Sequence, residues 1–200
     1  LCLFCFPMAQ LVSAQQFTIL TAGDVVNTPA DSRSINLVDV NNDGSDDIFI
    51  TNGPSDGAPN MLYLNDGTGE FTTVFNDPIV EDTSAFDGAT FADADNDGDL
   101  DAYVVTWYGL RNYFYRNQGD GTFAYEPDNV SGSLGTYSET AAWGDADQDG
   151  HVDVYVTNSA GTKKNLFYFN DGAGGFEQVE DGTAANDSFF SRGVNWVDYD

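Results

Sequence analysis

Apolar residues in this chain come in short runs, each cut off by a cluster of Asp, Asn and Gly. "DIFITN" from Asp47, "DAYVVTW" from Asp101 and "DVYVTN" from Asp153 are rich in β-branched and aromatic residues. All three are too short for amphipathic helices and lack a 3.6-residue period, so they predict strands. A second family of runs, "NMLYLN" from Asn60, "NYFYRN" from Asn112 and "NLFYFN" from Asn165, precedes Gly-rich turns such as "NDGTG". Glycine there supplies the positive φ angles that a tight hairpin requires.

The runs recur in phase. The aspartates Asp39, Asp93, Asp145 and Asp198 open equivalent stretches at spacings of 54, 52 and 53 residues, and Phe17, Phe71, Phe123 and Phe176 each stand 22 residues before the next of them. Each unit predicts four strands: one entering the acidic stretch ("GATFAD"), one leaving it ("AYVVTW"), one before the Gly turn ("NYFYRN") and one after it ("TFAYEP"). The second strands are nearly continuous apolar runs, which implies burial on both faces. Sheets stacked face to face around an axis satisfy that, so the expected fold is all-β: a β-propeller of four-stranded antiparallel blades, about 53 residues per blade. Three complete units and the start of a fourth, over residues 15–200, predict an incomplete ring, with the partners of the strand at Phe17 supplied from the far C-terminal side.

Polar positions between the first two strands carry the candidate chemistry. Counting the first aspartate as position 1, the loops place acid or amide at 1, 3, 5 and 9 and Gly at 6. They comprise Asp39, Asn41, Asp43, Ser45 and Asp47; Asp93, Asp95, Asp97, Asp99 and Asp101; and Asp145, Asp147, Asp149, His151 and Asp153. Asp198 and Asp200 are positions 1 and 3 of a fourth loop. Carboxylates this close repel unless a cation sits among them. Hard oxygen ligands, a Gly at the sharp turn and a backbone carbonyl expected from position 7 (Ser45, Asp99, His151) describe a Ca²⁺ loop. It is not an EF-hand, because position 12 is Ile50, Val104 or Val156 instead of Glu, and a strand follows. Transition metals would ask for His or Cys, and the sole histidine stands at position 7. The competing reading is a set of solvated Asp/Asn-Gly turns. The expected role of the ion is structural, with the first loop weakest because Asn41 removes one charge.

Composition narrows the partners. The chain has 200 residues, a formal net charge of −27 and a hydrophobic fraction of 41%, enough for a real core. That charge repels nucleic acid and anionic membranes and suits a calcium-rich exterior. Residues 1–14 resemble a secretory signal peptide remnant with Val12 and Ala14 before a cut at Gln15, a buried N-terminal strand being the alternative. The apolar run is too short for membrane insertion as a spanning helix. Cys2 and Cys5 both lie in this segment, so a chain starting at Gln15 has no disulfide. The expected localisation is secreted or cell surface.

"DADNDGDLD" followed by "AYVV", and later "NYFYRNQGDGTF", resemble the FG-GAP or VCBS repeat, the calcium-loop blade of integrin α-subunit propellers and of the cartilage acidic protein group. The resemblance spans residues 17–200; "FDGATFAD" is a loose form of its Phe-Gly signature, from which "YSETAAWGD" and "FFSRGVNWVD" depart. It implies an extracellular module that binds a protein or carbohydrate ligand, and leaves open an accessory propeller of a polysaccharide-degrading enzyme whose catalytic domain lies beyond residue 200. No G-x-S-x-G, H-E-x-x-H or second histidine points to catalysis. Strand alternation puts the second-to-third and fourth-to-first connections on the face opposite the acidic loops. Trp107, Tyr108, Arg111, Phe189, Phe190 and Arg192 lie there, as ligand contacts or as packing between blades. Asn129 and Asn186 begin glycosylation sequons.

Overall fold

The computed structural model describes residues 19–129, 136–160, 164–186 and 189–198. The signal-peptide expectation, Phe17 and Asp200 lie outside the described residues. Three four-stranded antiparallel sheets dominate. The first holds β1 (Ser32–Val38), β2 (Asp47–Asn52), β4 (Met61–Asn65) and β5 (Phe71–Thr73). The second holds β7 (Phe86–Ala92), β8 (Asp101–Thr106), β9 (Tyr113–Asn117) and β10 (Phe123–Tyr125). The third holds β11 (Ser138–Gly144), β12 (Asp153–Asn158), β13 (Leu166–Asn170) and β14 (Phe176–Gln178). Sequence order equals spatial order in each, the up-and-down blade the pattern predicts. Each first strand carries a register shift near its start, between Ser32 and Ile35, Phe86 and Ala89, and Ser138 and Thr140.

The sheets meet through their first strands, β1 against β7 and β7 against β11, while the fourth strands splay apart. The inner strands therefore line the axis. No closed ring forms among the described residues.

The apolar second strands are buried as their composition requires. β8 is buried along its whole length. Its alternate residues serve two cores: Ala102 and Val104 pack with Phe49, Leu62 and Phe86 against the first sheet, whereas Tyr103 and Val105 pack with Ala141, Val154 and Tyr168 against the third. Burying each of the larger side chains contributes about 1.5–3 kcal/mol. The blade interface thus carries most of the cohesion in a chain whose described residues include no disulfide.

The repeat also explains an exposed apolar stripe. Phe91 and Trp143, two residues before their loops, pack on the preceding sheet. Trp196 holds the same position before Asp198: it lies near Phe167 of the third sheet and donates its indole N–H to the Ala142 carbonyl at 3.0 Å. Leu37, their counterpart in β1, is 66% exposed.

Two features depart from a strands-only reading. Short helical turns flank the blades: α1 (Asp24–Asn27) precedes β1, α2 (Pro78–Glu81) follows β5 and α3 (Thr183–Asn186) follows β14. In α2 the cause is local: Asp77 caps the Ile79 N–H at 3.0 Å, and Pro78 begins the turn. A two-stranded sheet of β3 (Ala58–Pro59) and β6 (Thr83–Ser84) then ties neighbouring connections together.

Candidate metal centre

Each acidic loop folds on one hydrogen-bond plan. In the second loop Asp93 accepts from the N–H of Asp97 and of Gly98, both at 3.0 Å, and Asp97 accepts from the N–H of Asp99 at 3.0 Å. Asp39 and Asp43 repeat this in the first loop, Asp145 and Asp149 in the third. The turn forces φ to 96° at Gly98, with 87° at Gly44 and 93° at Gly150. That is left-handed backbone, open to Gly at little cost. Position 4 is left-handed as well, at Asn42, Asn96 and Gln148.

Positions 1, 3 and 5 converge. Asp93, Asp95 and Asp97 each offer an oxygen within 4.8 Å of the others, as do Asp145, Asp147 and Asp149. Oxygens bound to one Ca²⁺ at roughly 2.3–2.6 Å lie no farther apart than about twice that distance, so the trios fit such an ion. Asn41 takes the place of one carboxylate in the first loop, where Asp43 N–H lies 3.1 Å from its Oδ1.

Position 9 stands apart. Asp47, Asp101 and Asp153 are buried, at 0%, 1% and 1% exposure, and each carboxylate accepts two backbone N–H groups. Asp101 takes Ala94 at 3.2 Å and Asn117 at 2.8 Å; Asp47 takes Val40 and Asn65, and Asp153 takes Ala146 and Asn170. These three staple the loop to the third strand of the same blade. Burial pushes the Asp101 carboxyl up to about 7 against the pull of those amides and of Arg116, and it raises Asp47 and Asp153 too.

The position 7 side chains of the second and third loops turn toward the preceding loop. Asp99 accepts from Asn42 of the preceding loop at 2.5 Å, and His151 pairs with Asn96 at 2.7 Å. The loops are therefore joined in series, position 4 of one to position 7 of the next. Strand-ending asparagines join them again: Asn117 donates to Val40 at 2.8 Å and Leu100 at 3.2 Å, and Asn170 to Ala94 at 2.7 Å and Val152 at 3.0 Å. The metal-ligand pattern gave no reason to single out these linkers, though the paired asparagines bounding "NYFYRN" and "NLFYFN" were a visible signal.

The loops are not equivalent in charge. Arg116, where the other blades have Leu64 and Phe169, binds Asp95 through its guanidinium and lies 3.8 Å from Asp101. Asp198 is exposed and joins no cluster among the described residues.

On the opposite face, Trp107 is half-buried and donates to Glu139 at 3.1 Å, while Tyr108, Phe189, Phe190 and Arg192 are exposed. Arg111 folds back onto the Pro127 carbonyl. The structure gathers Trp107, Tyr108 and Arg192 at one cavity and leaves the other three outside it.

The sequence profile of the FG-GAP-like repeat matches residues 39–104 and 103–156. The chain belongs to the FG-GAP-like repeat family. Both matched segments open within or just after an acidic loop and run through the buried second strand of the next blade, so the FG-GAP-like repeat coincides with the stapled frame described above. The chain is also similar to cartilage acidic protein 1 of Xenopus tropicalis, at 26% identity over 137 residues. That stretch is 68% of this chain and 21% of the relative, so the chain spans about a fifth of that protein's length. A solved lectin from Agrocybe aegerita that recognises non-reducing terminal N-acetylglucosamine is 24% identical, with 80% of this chain and 40% of that chain covered and a TM-score of 0.49. Among the described residues no helix is long and apolar enough to cross a membrane.

Proposed function

We propose that this FG-GAP-like chain is a calcium-stabilised propeller segment that works outside the cell as a non-catalytic adhesion or ligand-binding module. The observation that carries the reading is the loop plan: three copies of one hydrogen-bond frame, two of which hold three carboxylates close enough to share one ion. Asp39, Asn41 and Asp43, then Asp93, Asp95 and Asp97, then Asp145, Asp147 and Asp149 would hold Ca²⁺. The ion would supply positive charge among carboxylates that otherwise repel, and so secure the turn between first and second strands. A net charge of −27 and the similarity to cartilage acidic protein 1 support an extracellular setting, where millimolar-affinity calcium modules operate.

The test is calorimetric titration of chelator-treated protein with Ca²⁺, paired with thermal melts. Three equivalents and a Tm that rises with Ca²⁺ are expected, because an ion held only by the folded state stabilises it by mass action. No uptake of heat-detected calcium, or a melt indifferent to chelator, overturns the reading.

A further inference from the structure

The far end of the inner strands carries a second repeat-built feature. Arg33, Asp87, Glu139 and Arg192 each stand six residues before a first loop aspartate, so they are one repeat position in four successive units. The first three are the second residues of β1, β7 and β11. At roughly 3.3 Å per residue, that position lies on the order of 20 Å from the acidic loops, at the opposite mouth of the axis. At positions 1 and 6 of the loops the units repeat one residue type; here they differ in charge, with Arg33 and Arg192 positive and Asp87 and Glu139 negative.

The four side chains converge on a cavity of about 180 Å³, which Trp107 and Tyr108 also line. Asp87 and Glu139 face each other within hydrogen-bonding reach. Arg192 pairs with Glu139 at 3.3 Å, and Trp107 donates its indole N–H to the same carboxylate at 3.1 Å. Arg33 donates to the Gly53 carbonyl at 3.1 Å. Behind them the backbone is drawn tight: a Cβ on Gly53 would lie 2.2 Å from the Phe86 carbonyl oxygen, and one on Gly88 would lie 2.9 Å from that of Glu139. Trp107 is fixed by edge-to-face contacts with Tyr108 and Tyr137, both at 5.4 Å between ring centres.

We infer that this axial cavity is a binding site for one neutral polyhydroxyl ring, a sugar residue free or at the end of a glycan. Two carboxylates and two guanidiniums balance, so the site exerts no net pull on an anion or a cation. They set hydroxyl acceptors beside hydroxyl donors, which a ring of vicinal hydroxyls uses in both senses. The indole and phenol supply the apolar wall for its C–H face. The volume lies below the roughly 300–1,000 Å³ of pockets for drug-sized ligands, which leaves room for a single ring and not for a chain. Burial first and the facing Glu139 second hold the Asp87 carboxyl up at about 6, so below that pH Asp87 can donate as well as accept.

This inference rests on the binding-module reading above, and one experiment separates the two. Saturation-transfer NMR on the calcium-loaded chain uses methyl glycosides of glucose, galactose, mannose and N-acetylglucosamine, with lysine methyl ester and acetate as charged probes. At least one glycoside is expected to bind and to shift the Trp107 and Tyr108 resonances. Glu139→Gln and Asp87→Asn should each weaken it at least tenfold, and Phe75→Ala, an exposed change away from the cavity, should leave it unaltered. Should either carboxylate variant lose its cooperative melt, Tyr108→Ala at an exposed position reads the aromatic wall instead, with at least a threefold loss expected. The inference is overturned if no glycoside binds, if only a charged probe enters, or if glycoside binding survives the carboxylate and Tyr108 variants. Sugar binding by a chain whose melt ignores calcium would overturn the calcium reading and leave this one standing.

Discussion

The two ends of the inner strands use repetition in opposite ways. At the acidic end, the units place the same residue types at equivalent positions, and three loops with one hydrogen-bond plan result. At the other end, one position carries Arg33, Asp87, Glu139 and Arg192, and a single asymmetric cluster results. A repeated residue set builds the same loop within each unit. A varied position builds one site among units, and only the packing of blade on blade assembles it. The acidic loops are thus local devices with inter-loop ties added, whereas the axial cavity has no existence outside the tertiary fold.

The comparison breaks most visibly at position 9. Asp101→Ala strands two buried amides, those of Ala94 and Asn117, at roughly 1–3 kcal/mol each. A loss of about 3 kcal/mol, on the order of 10 °C in Tm, is expected with calcium and without it. A melt that moves only when calcium is present would show that Asp101 acts as a ligand and not as a staple.

Gly53→Ala tests the axial end. The new methyl would collide with the Phe86 backbone, so the first and second sheets must part, at about 2 kcal/mol. Denaturant midpoints in chelator should fall, and the glycoside response of the cavity should weaken with them. Unchanged stability would mean that the blades meet less tightly than the structure shows.

Asp87 sets a pH signature at the same end. Its folded carboxyl is raised to about 6, above the ordinary 3.8, by burial first and by Glu139 second. The folded state therefore binds more protons than the unfolded one between those values. Its contribution is fully present below pH 4 and is lost as pH rises through 6. Asp87 is half-buried, so the loss is about 1 kcal/mol rather than the full shift. Subtracting urea-derived stabilities of Asp87→Asn from those of the parent across pH 4–7 should isolate this slope; parallel curves would contradict it.

The smallest effect belongs to an exposed loop position. Asp97→Ala should shift stability in chelator by less than about 0.5 kcal/mol, yet remove one equivalent of calcium and leave the other two. Paired with Asp101→Ala, it separates the proposed ion-holding role of Asp97 from the frame-holding role of Asp101.

Much of this was legible in the chain itself. The 52–54-residue spacing and the apolar second strands imply four-stranded units stacked face to face, because a strand apolar on both sides needs a sheet on both sides, as β8 has. The convergence of positions 1, 3 and 5 was legible for the same local reason: a nine-residue loop with Gly at its turn leaves its carboxylates few directions to point. The staples at position 9 were not, since the amides of Asn65, Asn117 and Asn170 that complete them come from another strand. Position 7 turned outward because the neighbouring loop presents Asn42 or Asn96 to it, a contact between residues 57 and 55 positions apart. Arg116 reaches Asp95 across a blade, and the Arg–Asp–Glu–Arg cluster forms across four units. Sequence order governs what a chain does within a turn or a hairpin; which charges finally share a low-dielectric cavity depends on how the blades pack, and that the tertiary structure decided.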